Sequence, residues 1–220
     1  KGVRVSSIIT GPVFQKGMSY VSWPPNFDSA DSDESLRLLS LTNTEWVAIC
    51  VFWYQDTVGS TEIHPDYNTP SNESVVHAIN RAHDLGMKVM LKPMVDPLSP
   101  QGAWRGQIPA STAWFQSYAN FMNFWAEFSQ DHEVDMLCVG CEFNSNDEST
   151  SEWESIVEGV RQRYSGPITY AANHDHYQRV EWWGSLDYAG IDAYAPLTNK
   201  NDPTLEELKQ AWSIHANAIE

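Results

Sequence analysis

Basic residues are scarce in this sequence of 220 residues, which holds 13 Lys and Arg against 29 Asp and Glu and carries a net charge of −16. A protein that binds nucleic acid neutralises phosphates with Lys and Arg. The charge therefore argues against a nucleic acid partner, and equally against an anionic membrane surface. It suits a neutral substrate.

Cysteines are few as well, and the 3 that are present form no spaced disulfide framework. Cys50, Cys138 and Cys141 each fall in an apolar, strand-like run, which predicts buried free thiols. Cys138 and Cys141 predict no zinc site, because residues at i and i+3 of a regular strand point to opposite faces. The pair His174 and His176 is a weak metal signal by itself. We therefore predict neither a metal nor a cofactor.

Long hydrophobic runs are absent, and no segment approaches the ~20 apolar residues that a membrane-spanning helix needs. The sequence opens KGVRVSSIIT, with neither an initiator methionine nor a signal peptide, so we expect a processed or trimmed form. The triplet Asn72-Glu73-Ser74 permits glycosylation in a secreted protein. No membrane-bound form is expected.

Strand-like and helix-like periods alternate along the chain, and the hydrophobic fraction of 42% fits a folded protein. The strand candidates have nearly continuous apolar interiors, as parallel strands covered on both faces do. They are residues 17–23, 45–53, 88–95, 135–143, 167–173 and 187–194. Helical stretches lie between them. One is predicted to start at Thr69-Pro70, and the last is predicted to turn Leu205, Leu208 and Trp212 inward.

The connections between these elements favour a barrel. Returns from helix to strand are short, whereas the segments after strands are long, near residues 54–69, 95–111 and 143–150. Repeated β-α units with long loops after the strands are the plan of a TIM (β/α)8 barrel. A doubly wound sheet is the alternative, but GMSYVSWPPNF lacks the glycine-rich phosphate turn which that fold places after its first strand. Six units are present where a closed barrel has eight, so we predict one α/β domain over 1–220 that lacks the last two.

The segment MLCVGCEF, residues 136–143, places a carboxylate directly after an apolar run. If Glu142 points into the barrel, strict alternation predicts an inward series of Met136, Cys138 and Gly140 and an outward series that includes Cys141. Glu142 then lies at the C-terminal end of the fourth strand, where the catalytic groups of this fold lie. A general acid is one interpretation; a structural salt bridge and a solvent-facing side chain are the others.

Polar and aromatic side chains follow the other strands too. Flat aromatic faces stack on sugar rings, and hydrogen-bonding groups can hold sugar hydroxyls. Around one carboxylic acid, they predict a sugar-cleaving site and not a phosphate or nucleotide site. The residues are Trp53 and Tyr54 after strand two, Lys92 and Asp96 on strand three, Trp104 and Arg105 in the loop beyond, Asn173 and His174 after strand five, and Asp192 and Tyr194 on strand six.

A set of motifs in matching order, from about residue 17 to 200, carries a family resemblance. The motifs are GMSYVSW, VFWYQD, AHDLGMKVMLKPMVD with WRG soon after, VGCEF and LDYAGIDAYAPL. Together they resemble glycoside hydrolase family 113, a family of β-mannanase-like enzymes in the clan of (β/α)8 retaining glycosidases. The resemblance implies that Glu142 is the acid/base. Cys141 stands where most of the clan has Asn, a departure that family 113 shares.

The resemblance also implies a substrate and a location. We expect endo-acting hydrolysis of β-1,4-mannan or a related β-glycan, an oligo- or polysaccharide partner, and a secreted, extracellular protein. The residues that fall where the family would line its sugar cleft are Trp53, Tyr54, Lys92, Trp104, Arg105, Asn173, His174 and Tyr194.

The second catalytic carboxylate of this clan is a Glu at the end of strand seven, and no seventh strand is predicted here. Retaining hydrolysis needs two carboxylates on opposite sides of the scissile bond, about 5–5.5 Å apart. We expect the nucleophile beyond residue 220; Asp192 is a less favoured substitute, expected instead to be structural or to hydrogen-bond. The rival hypotheses are a catalytically inactive barrel that binds carbohydrate or a protein partner, and a barrel enzyme of other chemistry, such as a metal-dependent hydrolase.

Overall fold

The computed structural model describes residues 14–24 and 26–219; the opening segment KGVRVSSIIT and the final Glu220 lie outside this range. The strands in it are β1 (Gly17–Tyr20), β2 (Trp46–Thr57), β3 (Lys88–Ser99), β4 (Met136–Cys141), β5 (Ile168–Asn173) and β6 (Tyr188–Asp192). The α-helices are α1 (Ala30–Ser40), α2 (Asn72–Asp84), α3 (Thr112–Asp131), α4 (Thr150–Arg161) and α5 (Leu205–Ile219). None of these helices is long and apolar enough to cross a bilayer.

The strands form a single curled, parallel sheet in which they pair in chain order, from β1 to β6. An α-helix separates each pair of successive strands up to β5, and two 3-10 turns connect β5 to β6. The sheet is the six-strand wall of a (β/α)-barrel, so the predicted fold class is confirmed. All the strands end at the same rim, which is the functional face of such a barrel.

The two faces of the sheet pack differently. The outer face meets the helices in a large core, to which α3 contributes the fully buried Trp114, Tyr118 and Trp125. The inner face carries a small cluster of Met94, Cys138, Cys141 and Ala171, with Cys50, Phe52 and Met90 packed against it. All three cysteines are free thiols, as predicted; Cys138 and Cys141 are also buried as predicted, whereas Cys50 is half-buried.

Element ends differ from the predicted ones in ways that have local causes. Strands β2 and β3 continue to Thr57 and Ser99, into segments predicted as loops. Helix α2 begins after Ser71, whose side chain accepts a hydrogen bond from the Ser74 N–H, and so the predicted start at Thr69-Pro70 is wrong.

Helix α5 also differs from its prediction, because none of its residues is fully buried. Leu205 is 65% exposed and Trp212 is 42% exposed, so the predicted inward face of this helix is wrong. Leu208, the third residue of the predicted face, is half-buried, and Trp212 lines a cavity together with Tyr177 from the segment after β5.

Candidate active site

Strand β4 is irregular near its end, and this decides which residues reach the barrel interior. Its pairing register with β5 shifts between Cys138 and Cys141. Both thiols consequently lie in the interior cluster, whereas a Cβ on Gly140 would sit 2.8 Å from Cε2 of Tyr170, on the helix side. The predictions that Gly140 faces inward and Cys141 outward are therefore wrong, because the bulge breaks the strict alternation of the strand.

Glu142 directly follows this bulge, at the C-terminal rim of the barrel. Its φ of 54° lies in the left-handed region, which costs a non-glycine residue about 1–2 kcal/mol. Its N–H donates to the Ala171 carbonyl at 2.8 Å, and its side chain is 16% exposed. Backbone strain of this kind is concentrated at functional sites.

The Glu142 carboxylate is held by the loop that follows β3. Arg105 Nη1 donates to Glu142 Oε2 at 3.2 Å, and Trp104 Nε1 reaches the same oxygen at 3.4 Å. Arg105 also donates two bonds of 2.9 Å to the carboxylate of Asp96, from Nε and Nη2. This bidentate geometry fixes the guanidinium plane. Asp96 is a site residue whose role was not predicted, although its place at the end of strand three was visible.

Trp104 depends on a glycine for its position. A Cβ on Gly106 would lie 2.3 Å from Cη2 of the Trp104 indole, so the ring rests directly on the Gly106 backbone. The same backbone is tied to the loop after β4, because the Gly106 carbonyl accepts from the N–H of Ser145 at 3.1 Å and from its hydroxyl at 2.7 Å.

A second ion pair lies deeper in the barrel, between β3 and β6. Lys92 is 8% exposed, and its Nζ donates to the two oxygens of Asp192 at 3.3 and 3.1 Å. Burial works to lower the pKa of Lys92, whereas the Asp192 carboxylate works to raise it. The thiol of Cys141 also donates to Asp192, at 3.4 Å, and burial raises the pKa of Cys141. Lys92 is therefore cationic and Cys141 is a neutral thiol.

Tyr54 lies on β2 beside Asp96 of β3, at the same rim. Burial, with a smaller contribution from the carboxylates of Asp96 and Asp66, raises the pKa of Tyr54 to about 12. The phenol therefore keeps its proton near neutral pH.

The residues predicted on β5 and β6 divide between the site and its surroundings. Asn173 pairs in register with Asp192, which places it at the edge of the charged cluster. Its Oδ1 lies 2.7 Å from Nδ1 of His174. His174 lines a separate cavity of about 220 Å³ between the β5 end and α5, and Tyr194 is 78% exposed. The structure does not bring the side chains of His174 and Tyr194 into contact with Glu142.

The position of Trp53 differs from the predicted one. Its ring packs against Phe121, Phe124 and Trp125 of α3 on the helix side of the sheet, so the predicted place in the cleft is wrong. Successive residues of a strand point to opposite faces, which means that Trp53 and its neighbour Tyr54 cannot both line the interior.

Trp23 is the aromatic residue that sequence reasoning missed. It follows β1 and is 54% exposed, and one side of its ring rests on Phe52, with the ring centroids 5.1 Å apart. Phe52 in turn packs against the interior cluster that contains Cys141. Its signal in the sequence was its place at the end of the first predicted strand, residues 17–23, inside the motif GMSYVSW.

The site also contains the donor atoms of a possible cation site. One ligand atom each from Cys141, Glu142 and Asp192 lies within 4.8 Å of the others. Lys92 and Arg105 already bind the two carboxylates, and their charges oppose a further cation there. Nδ1 of His176 lies 3.4 Å from the buried Asp147, and among the described residues His174 and His176 belong to no cluster of three or more potential metal ligands.

The fold and the site together define a (β/α)-barrel with a strained, arginine-bound glutamate at its C-terminal rim. The model of Glycoside Hydrolase Family 113 matches residues 18–219. The chain therefore belongs to this family, as the sequence motifs predicted.

Solved structures of the family are similar along most of the chain. A GH113 β-1,4-mannanase is 26% identical with a TM-score of 0.78, over 93% of this chain and 69% of that one. The GH113 β-mannanase AaManA from Alicyclobacillus acidocaldarius, solved in complex with ManMIm, is also 26% identical with a TM-score of 0.78, over 92% and 68%.

A curated protein named pyridoxine 5'-phosphate synthase, from Bradyrhizobium sp. (strain ORS 278), is 25% identical over 199 residues. The match covers 90% of this chain and 63% of that protein, so the chain spans less than two thirds of the length of this relative.

Proposed function

We propose that this chain is the acid/base-bearing part of a retaining endo-β-1,4-mannanase, with Glu142 as the general acid/base. The observation that carries the proposal is the placement of Glu142 after β4, with Arg105 and Trp104 both bound to its Oε2. Membership of family 113 and the likeness to β-mannanases support the same substrate class.

The arrangement of donors suggests how the proton is delivered. Oε2 of Glu142 is occupied by two N–H donors, and Oε1 has no hydrogen-bond partner among the described residues. The proton of the acid form would therefore reside on Oε1 and pass to the glycosidic oxygen as the bond to the anomeric carbon breaks. Glu142 would then accept a proton from the water that hydrolyses the glycosyl-enzyme, which returns it to the acid form.

The nucleophile in this proposal is a glutamate outside the 220 residues, as predicted from the clan. It would attack the anomeric carbon from the face opposite Glu142, with the two carboxyl groups about 5–5.5 Å apart. Asp192 is the less suitable candidate, because Lys92 donates to both of its oxygens and so reduces their availability for attack. We assign to Asp192 the role of fixing Lys92 and Cys141.

Substrate contacts are proposed for the groups that line the rim. The exposed Trp23 and the Trp104 indole would stack on sugar rings, while Tyr54, Arg105 and Asn173 would hydrogen-bond hydroxyls. A neutral polysaccharide carries no charge for the acidic surface to repel. The secreted location stays a prediction.

The proposal is tested with the full-length protein that contains this chain. β-1,4-Mannan and mannohexaose are incubated alongside xylan and cellulose, and the new reducing ends are counted. Proton NMR of the first products reports their anomeric configuration, which we expect to be retained. Binding of mannohexaose without turnover would instead support the inactive carbohydrate-binding barrel, and activity that is lost on chelation would support a metal-dependent hydrolase.

A further inference from the structure

The backbone around Glu142 is held by strand β5 through two bonds. The Glu142 N–H donates to the Ala171 carbonyl at 2.8 Å, and the next N–H, of Phe143, donates to the hydroxyl of Tyr170 at 3.0 Å. A left-handed glutamate is unfavourable by itself, so it persists only where the surrounding structure determines it. These two bonds fix the peptide groups on both sides of Glu142.

The Tyr170 hydroxyl is itself held by a buried carboxylate. It donates to Oδ1 of Asp147 at 2.5 Å, and both residues are fully buried. His176 lies on the other side, with Nδ1 3.4 Å from Oδ2 of Asp147. Burial raises the pKa of Asp147 and the pKa of Tyr170. A buried carboxylate without partners is strongly unfavourable, and the Tyr170 hydroxyl is the donor that Asp147 needs. The same hydroxyl also accepts the hydrogen bond from the Phe143 N–H.

The same loop connects to the other residues that bind Glu142. The Asp147 carbonyl accepts from Nε1 of Trp182 at 3.0 Å, which anchors the loop to the outer core. Two residues earlier, Ser145 binds the Gly106 carbonyl, next to Arg105. The Tyr170 ring is 0% exposed and packs against Trp153 and Trp182, so its hydroxyl has no access to a substrate.

We propose that Tyr170 and Asp147 are positioning residues that hold Glu142 in its left-handed conformation and so set the direction of its carboxyl group. The role rests on the proposed function of Glu142. This role differs from ordinary core stabilisation because the Tyr170 hydroxyl binds the N–H of the peptide group that joins Glu142 to Phe143.

The test compares Tyr170→Phe with Tyr164→Phe in the full-length protein. Tyr164 is a matched control, since it is also buried and its hydroxyl donates to the Val134 carbonyl at 2.7 Å, near the opposite end of β4. We expect both variants to lower the melting temperature, and Tyr170→Phe to lower it more, because it leaves the buried Asp147 carboxylate without its donor. Tyr170→Phe alone should lower kcat on β-mannan by at least about tenfold, because small misplacements of a catalytic group have effects of that size, with KM within about twofold. Equal kcat values for the two variants and the wild type would overturn the proposal.

Two further measurements keep the test decisive. Asp147→Asn retains an acceptor oxygen for Tyr170 and should keep more of the wild-type kcat than Asp147→Leu; equal losses would contradict the proposal. A crystal structure of Tyr170→Phe should show that Glu142 has left its positive φ or lost its contacts with Arg105 and Trp104. If the wild type cleaves no mannan, the proposed function fails, and this structure still decides the positioning role: an unchanged Glu142 would refute it.

Discussion

Arg105 Nη1 lies 3.2 Å from Oε2 of Glu142, while Nε and Nη2 of the same guanidinium each lie 2.9 Å from Asp96. One side chain thus connects the end of β3, the loop beyond it and the end of β4. The guanidinium has its charge balanced by Asp96 and is held in one plane, so it can present a fixed N–H to Glu142. The geometry of the glutamate depends on this arginine as well as on its own strand.

Arg105→Met should be markedly destabilising, because it leaves two mostly buried carboxylates without their cation. The side chains of Arg105 and Glu142 are 11% and 16% exposed, so we expect a loss of about 2 kcal/mol in the free energy of unfolding, below the value for a fully buried pair. Urea denaturation measures it. Arg37→Met is the control: that arginine pairs with Glu34 at exposures of 43% and 54%, and solvent screening should make the effect of its loss clearly smaller than that of Arg105. Similar losses for the two variants would contradict the account of the site.

Gly106→Ala should displace the Trp104 indole from Glu142. The added Cβ would lie 2.3 Å from the ring, which forces the ring or the loop to move. We expect kcat/KM on mannohexaose to fall about tenfold, the effect of a small error in position. Gly59→Ala is a suitable control, because nothing lies within 4 Å of a Cβ there. An unchanged kcat/KM for Gly106→Ala would show that the Trp104 position is not needed.

Trp23→Ala should weaken the binding of mannohexaose, because it removes an exposed aromatic face that is supported by Phe52. Stacking of this kind contributes about 1 kcal/mol, which corresponds to roughly fivefold in Kd. Isothermal titration calorimetry with the Glu142→Gln background measures the affinity without turnover. Phe14→Ala removes another aromatic side chain, which is 78% exposed and precedes β1 at the opposite end of the barrel, and should leave the affinity unchanged. If the two variants bind equally well, Trp23 is not a sugar platform.

Asp192 should not form a covalent bond to the sugar. A 2-deoxy-2-fluoro-mannosyl reagent with a good leaving group slows the second step of retaining hydrolysis and traps the glycosyl-enzyme. Peptide mass spectrometry should place the label outside the peptide that contains Asp192, and Asp192→Asn should still be labelled. A label on Asp192 would identify it as the nucleophile and reverse our assignment.

The fold could be predicted from the sequence because the central strands, β2 to β5, each contain an apolar run. Buried parallel strands need apolar residues on both faces, so the run itself reveals the strand. The faces of a strand are harder to predict. Along β4 the bulge between Cys138 and Cys141 breaks the alternation, and no residue type announces it, although Gly140 marks a place where backbone and side chain approach closely.

The site could be predicted only in part for a similar reason. Glu142 was visible as a carboxylate at the end of a strand, and Arg105 as a polar residue in the next loop. Whether Trp53 or Trp23 lies at the sugar cleft depends on which face of β2 packs against α3. Tertiary contacts decide that packing, and they are not visible in the sequence. The bond from Tyr170 to Asp147 joins residues that are 23 positions apart, and nothing local in either segment indicates it.

The central claim is that Glu142 is the general acid/base, and the kinetics of Glu142→Gln test it most directly. The amide keeps the shape of the side chain but cannot donate the proton, so kcat on β-mannan should fall at least about a hundredfold. On an aryl β-mannoside whose leaving group needs no proton, the rate constant of the variant for the first step, formation of the glycosyl-enzyme, should fall much less. Glu148→Gln, at a side chain that is 72% exposed, should match the wild type on both substrates. Wild-type activity of Glu142→Gln on β-mannan would contradict the account.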